Sequence, residues 1–106
     1  MTGIQKVLAE RKNEGKTKMS FVLELDKALD GICRVMTFGA TKYGRGNWKK
    51  GRPVTDTADS LMRHLVAYMN GEDRDSESGE LHVDHISTNA LFLATFARDP
   101  QLDDRL

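Results

Sequence analysis

Three stretches of this chain repeat their apolar residues at three- and four-residue steps, and none alternates apolar with polar long enough for a sheet. That pattern commits the fold to helices packed on one another. From Glu24 to Gly39 the repeat is carried by Leu25, Ala28, Leu29, Ile32, Val35 and Met36. Gly31 and Gly39 weaken this helix locally and permit close approach by another backbone. From about Asp56 to Asn70 the apolar face holds Ala58, Leu61, Met62, Leu65, Tyr68 and Met69. Thr55 or Asp56 suits its cap and Gly71 its stop. From about Glu80 to Arg98 the face holds Val83, Ile86, Ala90, Leu93 and Ala97, and Asp99-Pro100 ends it. A weaker helical stretch spans Ile4 to Arg11. The expected fold is all-α, a small antiparallel helical bundle with loops at 40–54 and 71–79.

A chain of 106 residues makes one domain, 1–106, with 1–18 and 99–106 expected to be flexible. So small a domain buries a modest core, and oligomerisation is a common remedy. Formal net charge is zero, from 16 acidic and 16 basic residues. Proteins that coat nucleic acid are usually clearly basic, so nucleic acid is not the expected partner. A single cysteine, Cys33, forms no internal disulfide, which fits a reducing cytosol. The N-terminus lacks the apolar core of a signal peptide, and no apolar run approaches the ~20 residues of a membrane span. A soluble cytoplasmic protein without a membrane partner is expected.

Charge is distributed in blocks. Gly71 to Asn89, GEDRDSESGELHVDHISTN, holds six carboxylates and two histidines within nineteen residues. Asp, Glu and His are the usual ligands of a catalytic divalent ion. Upstream, Lys42 to Arg52, KYGRGNWKKGR, holds five basic residues, one Trp and no acid. Its glycines let backbone N–H groups approach an anion, and Lys42, Arg45 and Lys49 add charge. Acidic and basic blocks together suggest metal-assisted chemistry on a phosphate ester.

On a helical wheel, His82, His85 and Asn89 fall within about 60° of arc. The same side continues as Phe92, Leu93 and Phe96, so it should face the interior with its first turns polar. Buried imidazoles need partners, and a metal or a phosphate supplies one. The alternative is a helix end whose histidines face water or neighbouring loops. Glu72, Asp75 and Glu77 can reach a common cation, but GEDRDSESG also suits a solvated, flexible loop. Arg63 either binds phosphate with its planar fork or pairs with Asp59 four residues away. Trp48 either stacks on a base or covers the core.

FGATKYGRGNW, LMRHLVAYMNGEDRDSESG and the H-x-x-H-x-x-x-N of His82, His85 and Asn89 followed by ALFLA resemble the phage dATP/dGTP diphosphohydrolase family. That family is related to the MazG-like all-α nucleoside triphosphate pyrophosphohydrolases. The resemblance covers roughly residues 14–97. It implies an oligomeric bundle, a homodimer or homotetramer, that uses Mg²⁺ or Mn²⁺. It also implies cleavage of a deoxynucleoside triphosphate to a monophosphate and pyrophosphate. The matched positions are Lys42, Tyr43, Gly44, Asn47, Trp48, Arg63, His64, Glu72, Asp75, Glu77, Gly79, His82, His85 and Asn89. Asp84 stands where a small apolar residue is expected. The paired E-x-x-E and E-x-x-D carboxylates of MazG-like enzymes are not plain here.

The expected roles follow. Glu72, Asp75, Glu77, His82 and His85 hold metal, and Glu72, Asp75, Glu77 and His85 serve catalysis. Lys42, Lys49, Arg63, Asn47, Trp48 and Asn89 bind substrate, with Trp48 and Asn89 at the base or sugar. The rival readings are a single-stranded nucleic-acid or nucleotide binding module and a structural protein whose polar seam mediates dimerisation.

Overall fold

The computed structural model describes residues 6–106. It has three α-helices, α1 (Asp26–Tyr43), α2 (Val54–Met69) and α3 (His82–Phe96), with 3₁₀ turns at Met19–Glu24 and Asn47–Lys50. The small all-α bundle is as expected. Among the described residues no helix is long and apolar enough to cross a membrane. Of the weak N-terminal stretch, Ile4 and Gln5 lie outside the described residues, and Lys6 to Arg11 is not helical. So short a helix without a packing partner is marginal in water.

α3 is the central element and packs on both α1 and α2. Asn89 meets Ser60, and His82 meets His64, so α2 runs antiparallel to α3. Gly31 lies beside Asp84 and Lys42 beside Glu77, so α1 also runs against α3. α1 runs one turn past Gly39, to Tyr43, and stops at Gly44 with φ 91°. Gly39 meets no other element, so its backbone simply continues the helix. α2 stops where expected. Gly71, at φ 93°, donates its N–H to Tyr68 O at 3.0 Å, and Glu72 N donates to Ala67 O at 3.0 Å. This Schellman closure needs a left-handed residue, which glycine adopts freely.

The cap of α2 differs from expectation. Neither Thr55 nor Asp56 caps it with a side chain. Asp104 does so from the far end of the chain, accepting the Thr55 N–H at 2.9 Å and the Thr55 hydroxyl at 2.6 Å. Leu102 O accepts the Val54 N–H at 2.9 Å. The tail therefore returns to the start of α2.

The α2 face also differs. Val54 and Thr57 are buried and His64 half-buried, whereas Met62, Leu65, Tyr68 and Met69 stay exposed. The upper turns of α3 are polar, so α2 turns its polar edge to them. The radius of gyration is 18.7 Å, against about 13 Å for a compact chain of this length. The buried apolar side chains are accordingly few: Val35, Val54 and Phe96 among the described residues.

Gly31 sets the spacing of α1 and α3. A Cβ there would stand 2.1 Å from the Asp84 carboxylate. Gly31→Ala should therefore destabilise by about 1–3 kcal/mol through overpacking. With Asp84→Ala in place, Gly31→Ala should stabilise by about 0.5–1 kcal/mol, because alanine suits a helix interior better than glycine. Denaturant midpoints of the four proteins check this. The same sign in both backgrounds would mean that Asp84 does not set the contact.

Candidate metal centre

The acidic loop is closed on itself. Asp75 N donates to Glu80 O at 2.8 Å, and Gly79 N donates to Asp75 O at 2.8 Å. Arg74 bridges to Leu81, and its guanidinium donates to Gly79 O at 2.8 Å. His82 N donates to Asp73 O at 2.8 Å, which fixes the loop against the first residue of α3. Most of the segment is solvated, as one reading expected, while Asp75, Ser78 and Glu80 are half-buried. These bonds fix the path of the loop at Asp73, Asp75 and Gly79.

On the inner face of α3, His82, His85 and Asn89 are buried, at 4%, 8% and 7% exposure. His64, on α2, joins them. Its Nδ1 is 2.8 Å from His82 Nδ1, and its ring stacks on His85 with centroids 4.2 Å apart and planes 5° from parallel. Ser78 Oγ is 2.7 Å from His85 Nε2, and Ser78 N donates to Asp75 Oδ2 at 2.8 Å. Asp75 Oδ2 is also 3.7 Å from His85 Nε2, and Glu72 Oε2 is 3.6 Å from His82 Nε2. The carboxylate and the serine thus share one nitrogen of His85. A Ser-His-Asp nucleophile instead needs them on opposite ring nitrogens.

The residues fit a divalent ion. His64, Asp75 and His82 each offer a ligand atom within 4.8 Å of one another. His82 Nε2 is buried without a hydrogen-bond partner. An orphaned buried nitrogen is costly and calls for a partner. Of the expected ligands, Asp75 and His82 join this group directly, while Glu72 and His85 border it. Glu77 turns away and pairs with Lys42. His64 was matched by sequence but given no ligand role. The available signal is that His64 stands one residue after Arg63, at the edge of the polar face shared by Asp56, Asp59 and Arg63.

Electrostatics favour ligation. Burial, then the charges of His85, His82 and Arg63, hold His64 below its ordinary value of 6.5. Burial and the charge of His82 do the same to His85, against the pull of Asp75. Burial pushes the Asp75 carboxyl up, but hydrogen bonds from Ser78 and the charges of His85 and His64 outweigh it and hold Asp75 low. At neutral pH His64 and His85 are therefore neutral beside an ionised Asp75, the states a metal needs.

These directions set a pH dependence. The folded protein disfavours protonated His64 and His85, so the unfolded chain binds more protons below 6.5. The metal-free protein should lose stability as pH falls below 6.5 and through the lowered folded values. A separate loss, from Asp75, should begin only below its ordinary 3.8. Denaturant midpoints across the first window check this, and a flat profile there would contradict it.

The substrate-binding candidates are dispersed. Lys42 lies in the last turn of α1, where the Glu77 carboxylate holds its ammonium well above the usual lysine range. Asn47 is half-buried and opens the second 3₁₀ turn, while Lys49 is exposed in it. Trp48 stacks on Phe92 at 5.7 Å, and Phe92 stacks on Phe96. One Trp48 face therefore closes the lower core. Asn89 is bound internally, donating to His85 O at 3.0 Å and to Ser60 Oγ at 3.3 Å. Arg63 lies on the exposed side of α2, lining a shallow groove with Asp59, Met62 and Val66. The Asp59 salt bridge is not formed.

Residues 8–105 match the family described as dATP/dGTP diphosphohydrolase, N-terminal. A dATP/dGTP diphosphohydrolase of Salmonella phage PMBT28 is 29% identical over 106 residues, which is 99% of this chain and 33% of that protein. The chain thus spans about a third of that relative's length. No solved structure matches. With its match running from residue 8 to residue 105, the chain belongs to the family of dATP/dGTP diphosphohydrolase N-terminal domains.

Proposed function

We propose that this chain is a divalent-metal-dependent nucleotide pyrophosphohydrolase. It converts a purine deoxynucleoside triphosphate, dATP or dGTP, to the monophosphate and pyrophosphate. The observation that carries this reading is the His64–Asp75–His82 group, half-buried at His64 and Asp75, with its orphaned, buried His82 nitrogen. The relative's name supports the substrate class.

His64, Asp75 and His82 hold the ion, with Glu72 at its rim. A divalent ion supplies Lewis-acid polarisation of phosphate oxygens and a lower pKa for an attacking water. Two imidazoles in the donor set favour Mn²⁺ over Mg²⁺. His85, neutral at pH 7 and held by Ser78, is the proton acceptor placed beside that group. Lys49 in the glycine-rich loop neutralises phosphate charge. Lys42 and Glu77 join α1 to the acidic loop and hold the wall of the site. The exposed apolar faces at Met19–Leu25 and Met62–Met69 suit a homo-oligomer.

The test is incubation with each NTP and dNTP plus Mn²⁺ or Mg²⁺, with the products resolved. Purine dNMP and pyrophosphate are expected. Diphosphate and orthophosphate would point to a different bond, and no turnover would leave a binding module.

A further inference from the structure

We infer that Arg52 joins Lys49 as a polyphosphate-binding residue of this site, and that Asn89 is its anchor rather than a substrate contact. This rests on the proposed nucleotide-binding role of the site. Every polar atom of the Asn89 side chain is committed within the fold. Its amide nitrogen donates to His85 O and Ser60 Oγ, which ties α3 to α2. Its Oδ1 accepts from Arg52 Nη2 at 3.5 Å. That contact is long, so it orients the guanidinium while leaving most of its donors free.

Three other cations are engaged within the fold. Lys42 is paired with Glu77, Arg34 with Asp30, and Arg74 with Gly79 O. Arg52 has no carboxylate within salt-bridge distance among the described residues. A guanidinium held by a neutral amide keeps its full charge for an incoming anion. Asn89 lies four residues beyond His85 on the same face of α3, about 6 Å along the axis. A polyphosphate chain with its reacting end at the histidines and Asp75 extends over that distance. The planar fork then meets two phosphate oxygens at once.

The test is titration calorimetry of inorganic triphosphate with Mg²⁺, on wild type, Arg52→Gln, Arg52→Lys and the same-loop control Lys50→Gln. Deoxyadenosine serves as a phosphate-free probe. Arg52→Gln should weaken triphosphate binding roughly 10- to 100-fold, as loss of charged hydrogen bonds does. Arg52→Lys should restore only part of it, and Lys50→Gln should stay near wild type. Deoxyadenosine affinity should be unchanged in all four. Unchanged triphosphate affinity in Arg52→Gln overturns the inference even where dATP is hydrolysed normally. An equal loss for deoxyadenosine also overturns it, since Arg52 would then act only on the fold. Tight, Arg52-dependent triphosphate binding without dATP hydrolysis supports the inference and rejects only the hydrolase reading.

Discussion

Asp75→Asn lowers kcat/KM for dATP by roughly 100- to 1000-fold, the cost of removing one preorganised electrostatic group. The change is chosen because it keeps the shape. An asparagine oxygen still accepts the Ser78 N–H now bound at 2.8 Å, so the loop should hold. What disappears is the charge beside His64, His82 and His85. Stability without metal should change by only about 1 kcal/mol, the difference between a charged and a neutral acceptor. Glu77→Gln gives the contrast. Glu77 faces Lys42 at the surface, so its loss should leave kcat/KM within about fivefold, the range of exposed pairs. Sequence alone gave both carboxylates the same role, and the loop fold separates them. Near-normal turnover in Asp75→Asn, or a larger loss in Glu77→Gln, would reverse that assignment.

The second large effect is thermal. Mn²⁺ at a hundredfold excess over its Kd adds about 2.7 kcal/mol to stability. For a domain of this size that raises Tm by roughly 10–20 °C. The shift should vanish in His64→Ala/His82→Ala, and exhaustive chelation should remove both the shift and the turnover. A full shift in the double variant would place the ion elsewhere.

The helices and the buried seam were legible because both depend on local spacing. Leu25 to Met36 repeats with a helical period, and Gly71 marks a stop that only a left-handed residue makes easily. His82, His85 and Asn89 share an arc with Phe96, so burying the last turn carries the first turns inward. What stayed hidden depends on distant partners. The Asp104 cap joins residues 49 apart, and no local pattern at Thr55 announces it. His64 was obscured by its neighbours. Met62, Leu65 and Met69 draw the apparent apolar face of α2 away from it, yet the polar top of α3 needs the imidazole. Asp84 looked misplaced until Gly31 supplied the space for its carboxylate. Asn89 looked like a recognition residue because an amide on a polar seam gives no sign of which partners consume it.

The most direct measurement is anomalous diffraction from crystals grown with Mn²⁺, collected on protein that turns over dATP. A manganese peak at coordination distance from His64, Asp75 and His82 is the predicted result. Active protein with no peak at those side chains, or with its peak on the Lys42–Glu77 side of the loop, would contradict it.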